Sequence, residues 1–274
     1  MAERFSVSMC VYGKDRPDWF RTAVDSVLNQ TAKPDEVVLV VDGPVPLELD
    51  LVICDYEARA DFRVIRLAEN QGHGNARRIC LSHCQYELVA LMDADDISHP
   101  QRFEKQLALL AARPEVSIVG GNITEFIGEP GQVVGARIVP ETDGQIKDYM
   151  KRRCPMNQVT VMFRKAHVEQ AGGYLDWYCE EDYYLWLRMH LADMRFANVQ
   201  DVLVNVRVAE EMYQRRGGWR YYKSEARLQA YMLKNGVIGF PRYIWNCAQR
   251  FVVQVLLPNR LRGWVFQKFA RKKV

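Results

Sequence analysis

The run Asp93-Ala94-Asp95-Asp96 follows the apolar residues 88–92 and sets alternating carboxylates where an apolar strand should end. Hard oxygen ligands of this kind suit Mg²⁺ or Mn²⁺ together with a diphosphate. In an open α/β sheet the carboxyl ends of the strands line the ligand crevice. Asp93 and Asp95 alternate along extended backbone and so point differently, which lets one reach a metal and the other a sugar hydroxyl. The plainer reading is a helix cap or solvated turn that opens the next helix.

Other residues could complete such a site. Asp42 follows the apolar run 37–41 and can accept from a base N–H. Asn70, Gly72 and Gly74 make a small-residue turn before a helix, where backbone N–H groups and Arg77 can meet phosphate. Turn formation alone explains those glycines equally well. Glu181 and Asp182 open a helix just after Trp177, Tyr178 and Cys179, and a carboxylate there can take a proton from an acceptor hydroxyl. Capping of the helix dipole is the alternative, and it would lower the carboxylate pKa. Arg188 is expected to orient this pair, while Arg207, Arg215 and Arg216 form a cationic set for a departing diphosphate or for lipid headgroups.

The elements that must carry these residues alternate strand and helix. Residues 5–12, 36–41, 62–67 and 87–92 read as strands, with helices over 19–29, 49–60 and from 75 to about 82, the order of a parallel α/β unit. Asp18 is expected to cap the first helix. A helix over 103–112, a strand over 116–120, a hairpin over 122–139 and a strand over 159–163 follow. Short helices are then expected over 166–171 and 181–191. Beyond Gly218 the pattern changes to helices over 219–233, 243–257 and 261–270.

With 274 residues, 49% apolar and 26% charged, the chain is globular in composition, which excludes fibre, solenoid and disorder. Its formal charge is +3, yet residues 226–274 contain ten Lys and Arg and no Asp or Glu, which leaves −7 on residues 1–225. An acidic body with a basic end suggests that only the end meets an anionic surface, and no nucleic-acid partner is expected. The seven cysteines lack CxxC spacing and read as reduced, mostly buried thiols; Cys80 and Cys84 fit a packed helix face better than a zinc site. Export and membrane-spanning patterns are lacking, so the chain is expected to stay on the cytoplasmic side.

Taken together the motifs resemble the family 2 glycosyltransferases of GT-A fold. The likeness runs through Ser8-Met9-Cys10-Val11-Tyr12, Asp42-Gly43, Asn70-Gln71-Gly72-His73-Gly74-Asn75-Ala76-Arg77, Asp93-Ala94-Asp95-Asp96 and Glu181-Asp182-Tyr183-Tyr184-Leu185-Trp186-Leu187-Arg188, across about residues 5–210. It implies a Rossmann-like, mostly parallel sheet over residues 1–215 and a basic amphipathic helical extension over 216–274. It further implies that Cys10, Val11, Tyr12 and Asp42 hold a nucleotide base. Asp93 would then sit toward the ribose, Asp95 on Mn²⁺ or Mg²⁺, and Asp182 as the general base of an inverting transfer.

The segments 206–218 and 256–263 resemble a narrower bacterial branch that builds O-antigen and capsule. For that branch the donor is a UDP-sugar, glucose or galactose, and the acceptor an undecaprenyl-diphosphate-linked N-acetylhexosamine, with a β-1,3 linkage favoured. Such an enzyme would sit peripherally on the cytoplasmic face of the inner membrane, with Trp177 and the three arginines near the acceptor. Two other readings are a sugar-phosphate nucleotidyltransferase, which should carry a Gly-rich cationic loop after its first strand, and a non-enzymatic membrane scaffold.

Overall fold

In the computed structural model, residues 3–208 and 217–258 are described. The first half alternates β1 (Phe5–Tyr12), α1 (Pro17–Leu28), β2 (Glu36–Asp42), α2 (Leu47–Glu57), β3 (Phe62–Arg66), α3 (His73–His83) and β4 (Leu88–Asp93). A short β5 (Ile97–Ser98), α4 (Arg102–Ala112), β6 (Val116–Phe126), β7 (Val133–Arg137) and α5 (Asp143–Met150) follow. The rest comprises β8 (Met162–Arg164), α6 (Lys165–Gln170), α7 (Glu181–Leu191), β9 (Arg195–Arg207), α8 (Trp219–Lys234) and α9 (Phe240–Phe251), with a π turn over Val252–Leu256.

The sheet runs β3-β2-β1-β4-β8-β6-β9-β5, with β7 on β6. Strands β1 to β4 are mutually parallel where they pair, and β2 and β3 lie on one side of β1 while β4 lies on the other. The chain therefore reverses direction across the sheet at β1, and a crevice opens at the carboxyl ends there. Register sets Cys10 opposite Asp93 and Tyr12 opposite Asp42, which brings three motifs distant in sequence to one edge.

Strand β2 is buried along its whole length because helices cover both faces. Val37, Leu39 and Val41 pack with Phe5, Phe20 and Phe103 on one side. Val38 and Val40 pack with Cys80, Phe163 and Trp186 on the other. That double cover explains why the run 36–41 shows no alternation of polar and apolar residues. Cys80 belongs to this packing, as expected of a helix face, and its thiol donates to Val38 O at 3.2 Å. The seven cysteines are free thiols, but Cys54 and Cys179 are exposed and only Cys80 and Cys84 are buried, fewer than the composition suggested.

The structure departs from the sequence expectations at several points, α5 and the short β5 among them. Strand β9 was not anticipated, because Asn198, Gln200, Asp201 and Asn205 interrupt its apolar pattern. These polar groups find partners on either side of the strand: Asn198 donates to Pro140 O at 2.7 Å, Gln200 donates to Val139 O at 3.3 Å, Asp201 accepts from Lys105 at 2.6 Å, and Asn205 accepts from Thr124. The strand expected over 159–163 is a 3₁₀ turn (Gln158–Thr160) leading into β8, since the Thr160 hydroxyl donates to Asn157 O at 2.7 Å and accepts from Gly121 N–H at 3.0 Å. Helix α1 starts at Pro17, and Asp18 pairs with Arg16 at 2.9 Å instead of capping. The helix expected over 261–270 lies outside the described residues.

Gly43 fixes the turn after β2. Its φ is +86°, and a Cβ there would lie 2.6 Å from Asn70 N. Gly43→Ala is therefore expected to lower stability by about 1–3 kcal/mol, the usual cost of a left-handed non-glycine residue. Chemical denaturation checks this, and an unmoved midpoint would mean that the turn yields at no cost.

Candidate active site

The crevice encloses about 440 Å³ and is lined by Cys10, Val11 and Tyr12 from β1, Asp42 from β2, Asn70 and Gly72, Asp93 at the end of β4 and Asp95 in the turn after it. Sequence reasoning assigned each of these to the donor side, and the fold gathers them in one cavity. Asp42 lines the cavity and also orders its wall, because its carboxylate accepts the N–H groups of Gln71 at 2.7 Å and Gly72 at 3.1 Å.

Arg77 does not stand open to phosphate as the sequence suggested. It is 1% exposed and donates to Ser8 O at 2.8 Å, to Met92 O at 3.1 Å and to the carboxylate of Asp93. Its guanidinium thus ties β1, β4 and Asp93 together from beneath the cavity. Arg207 is similarly committed. It packs between the rings of Trp19 and Phe126 at 4.5 and 4.6 Å and donates to Asp95 O at 3.2 Å and Gly128 O at 2.7 Å. Its backbone N–H meets Asp96 at 2.8 Å, so it braces the acidic loop and is not free for a departing diphosphate. Arg215 and Arg216 lie outside the described residues.

Two residues were missed. Asp15 enters the cavity from the loop after β1 and accepts Tyr12 N–H at 2.9 Å. Burial pushes its pKa up to about 7, opposed by the Tyr12 N–H and assisted by Asp95 and Asp93. His73 lies at the start of α3, and its Nδ1 stands 2.8 Å from Glu181. Desolvation pulls the imidazole pKa down, but the Glu181 carboxylate outweighs that and leaves it raised. Asp15 carried no motif signal, whereas His73 was hidden between glycines that read as a turn.

A continuous path now joins the two acidic centres. Asp93 meets Arg77, Arg77 Nε stands 3.4 Å from His73 Nε2, and His73 meets Glu181 beside Asp182. Asp182 accepts from Tyr183 N–H at 2.6 Å and from the Cys154 thiol at 3.7 Å. Desolvation and then Glu181 raise its pKa to about 6, overcoming the downward pull of the Tyr183 N–H, Arg137 and the Cys154 thiol. Arg188 does not orient this pair, because it donates to Ala171 O at 2.5 Å and Gly173 O at 2.6 Å and stacks on Tyr184. Trp177 is 7% exposed, and its indole N–H donates to Ser224 O on α8 at 3.3 Å, so it braces the α7 approach more than it faces a ligand.

Among the described residues no group of three or more His, Cys, Asp or Glu is assembled to hold a metal. The donor chemistry still fits a divalent ion that takes one or two carboxylates and draws the rest of its shell from a diphosphate and water. Asp15, Asp93 and Asp95 line the same cavity, so such an ion would meet several carboxylates there.

A mixed sheet, parallel over β1 to β4 and antiparallel where β8 joins β4 and β6 and where β7 and β5 pair, so less parallel than the sequence implied, together with a crevice at the strand reversal and a second acidic centre, fits a glycosyltransferase of GT-A fold. A model described as Glycosyl transferase family 2 matches residues 6–169, and one described as Glycosyl transferase family group 2 matches residues 88–270. The chain belongs to the family 2 glycosyltransferases. It is 35% identical to the UDP-Gal:alpha-D-GlcNAc-diphosphoundecaprenol beta-1,3-galactosyltransferase of Escherichia coli, over 98% of this chain and 97% of that one. It is also 35% identical to an amylovoran biosynthesis glycosyltransferase of Erwinia amylovora, over 96% and 98%. Among solved structures, S. aureus TarS 1-349 in complex with UDP-GlcNAc superposes with a TM-score of 0.66 at 16% identity, covering 96% of this chain and 79% of that one. A mannosyltransferase from Pyrobaculum calidifontis in complex with GDP-Man and Mn²⁺ superposes at 0.64, with 16% identity over 96% and 72%.

Arg77→Met removes the cation under Asp93. Breaking a buried pair costs about 3–5 kcal/mol, and the low end applies because Asp93 is one-third exposed. The variant is expected to lose stability and nucleotide affinity together, as read by denaturation and by titration with nucleoside diphosphates. Wild-type affinity in a folded variant would remove Arg77 from the site.

Proposed function

We propose that this chain transfers a hexose, galactose or glucose, from a UDP-sugar to an N-acetylhexosamine carried on undecaprenyl diphosphate, with inversion to a β linkage, β-1,3 favoured. The observation that carries this reading is the path from Asp93 through Arg77 and His73 to Glu181, which couples a nucleotide-sized cavity to a carboxylate poised as a base. The named acceptor and linkage of the Escherichia coli relative support the finer choice. The roles of Cys10, Val11, Tyr12 and Asp42 toward the base, and of Asp93 toward the ribose, belong to the same proposal.

In this mechanism the Asp182 carboxylate takes the proton of the acceptor hydroxyl as its oxygen attacks the anomeric carbon. The bond from that carbon to the diphosphate oxygen breaks, UDP leaves, and the anomeric configuration inverts. Mn²⁺ or Mg²⁺ held by Asp95 would supply positive charge toward the leaving diphosphate. Arg77 and Arg207 keep the acidic loop in place, and His73 holds Glu181 so that its charge sustains the raised pKa of Asp182.

We propose that residues 1–215 carry the catalysis and that residues 216–274 hold the protein on the cytoplasmic membrane surface. No helix among the described residues is long and apolar enough to cross a membrane. The segment 240–256, helix α9 with the π turn that continues it, is however inverted in polarity. Its inward row is Asn246, Arg250 and Gln254, which bond Gln229, Arg152 O and Glu225. Its outward row is Phe240, Ile244, Trp245, Val252 and Leu256, each about half to two-thirds exposed. An exposed apolar row beside Lys234 and Arg242 suits an anionic bilayer interface.

Two experiments test these roles. Asp182→Asn should lower transfer by about 10²–10⁴-fold, and wild-type kcat/KM should fall as pH drops below about 6, where Asp182 takes up a proton. A carboxylate with a raised folded pKa penalises the fold increasingly as pH rises from the ordinary carboxylate range through about 6. The Asn variant is therefore expected to be at least as stable as wild type at pH 8. Near-normal transfer by this variant would reject the base assignment. Replacing Phe240, Ile244 and Trp245 with serine should weaken cosedimentation with anionic vesicles, and unchanged binding would reject the membrane face.

A further inference from the structure

We infer that Arg220 and Arg227 on α8 form the binding site for the diphosphate of the lipid-linked acceptor. The inference rests on the transferase reading above and assigns a place within it. The approach to α7 runs along α8, where the Ser224 hydroxyl donates to Tyr178 O at 2.6 Å and the Ser224 carbonyl accepts the Trp177 indole N–H. One turn before this clamp, the Arg220 guanidinium lies 4.0 Å from the Tyr178 ring; about one turn after it, the Arg227 guanidinium lies 4.3 Å from the Trp177 ring. Both arginines are exposed. Among the described residues neither makes an ion pair or hydrogen bond, and Asp176, adjacent in the chain to Trp177, pairs with neither.

Helix stability does not account for this arrangement. Arg220 stands in the first turn of α8, where the dipole disfavours a cation by about 0.3–1 kcal/mol. Stacking on aromatic faces fixes the guanidinium planes while leaving their N–H groups open, the state in which arginine recognises phosphate oxygens. Seven residues of helix separate the two Cα atoms by about 10.5 Å. Two forks at that spacing, leaning toward adjacent rings, suit two linked phosphoryl groups better than one.

The position matches the acceptor's own anatomy. Trp177 and Tyr178 precede Glu181 and Asp182 by a few residues, so the arginines stand next to the start of the base-bearing helix. On the far side, Trp219 stacks on Tyr222 and meets Phe251 of α9, joining the arginines to the exposed apolar row. A sugar at Asp182 and a lipid chain at α9 leave the linking diphosphate between them.

The test uses the full chain and two acceptors: N-acetylglucosamine joined to one alkyl chain either through a diphosphate or through a neutral glycosidic bond. In the double variant Arg220→Gln/Arg227→Gln the ratio of kcat/KM for the diphosphate acceptor over the neutral one is expected to fall about 10–100-fold, through KM. Arg220→Lys/Arg227→Lys should recover part of it, which a purely structural role would not predict. Cosedimentation with anionic vesicles separates the two phosphate sources. If the double variant loses vesicle binding while the ratio holds, the arginines serve lipid headgroups and the inference is overturned. If wild type transfers sugar to both acceptors and the variant ratio is unmoved, the inference alone fails. If wild type transfers to neither, the transferase reading fails and takes the inference with it.

Discussion

Four carboxylates crowd the exit of β4 and the loop after β1, and the fold is arranged to tolerate them. Asp96 is 3% exposed, and burial together with Asp95 and Asp93 drives its pKa well above the ordinary range. Three guanidiniums answer this charge from beneath and beside. Arg77 bonds Met92 O and Asp93, Arg102 bonds Leu91 O at 2.7 Å, and Arg207 bonds Asp95 O. Arg102 is buried deeply enough that its pKa falls to about 9, while Asp93 and Asp96 hold it up against that burial. Successive backbone carbonyls of one strand end are thus gripped by different arginines. The direction of the acidic loop is fixed before any ligand arrives, which is what preorganised charge stabilisation requires.

Much of this site was legible because parallel strands carry their chemistry at their ends. Asp42 and Asp93 each close an apolar run, and register places their strands on either side of β1. The supporting cations were less legible. Arg77 reads as a phosphate ligand in sequence, since nothing local reveals that α3 turns its guanidinium under the sheet. Arg102 sits in an ordinary amphipathic helix, and its burial follows from the packing of α4 beneath β4. Asp15 carries no motif, and its proximity to Asp95 arises only when the β1–α1 loop folds over the strand ends. Strand β9 was obscured by polar residues whose partners lie on β5, β6 and the segment before α5.

The C-terminal helices present a different difficulty. Their composition announced an amphipathic element, but amphipathicity does not say which side faces the body. Helix α8 buries Leu228 and Met232 in the same cluster as Trp177, Tyr183 and Trp186, in the usual sense. Helix α9 and the π turn after it reverse this, with Asn246 and Gln254 inward. Docking and surface exposure therefore coexist in one hairpin.

That hairpin reaches Glu180, two residues before Asp182. Tyr221 on α8 donates to Glu180 at 3.1 Å, and Glu225 pairs with Arg250 at 2.9 Å, so α9 is linked to α8 and α8 to the residue preceding Glu181. Between Tyr178 and Glu180 the chain passes through Cys179 at φ +59°, a conformation that a non-glycine residue adopts only when its surroundings insist. Ser224 on one side and Tyr221 on the other supply that insistence. A surface that fixes α8 and α9 thereby fixes the approach to Asp182. In the proposed transferase, where the acceptor hydroxyl must meet Asp182 within hydrogen-bond reach, the hairpin proposed to meet the membrane would then also set the position of the proposed base.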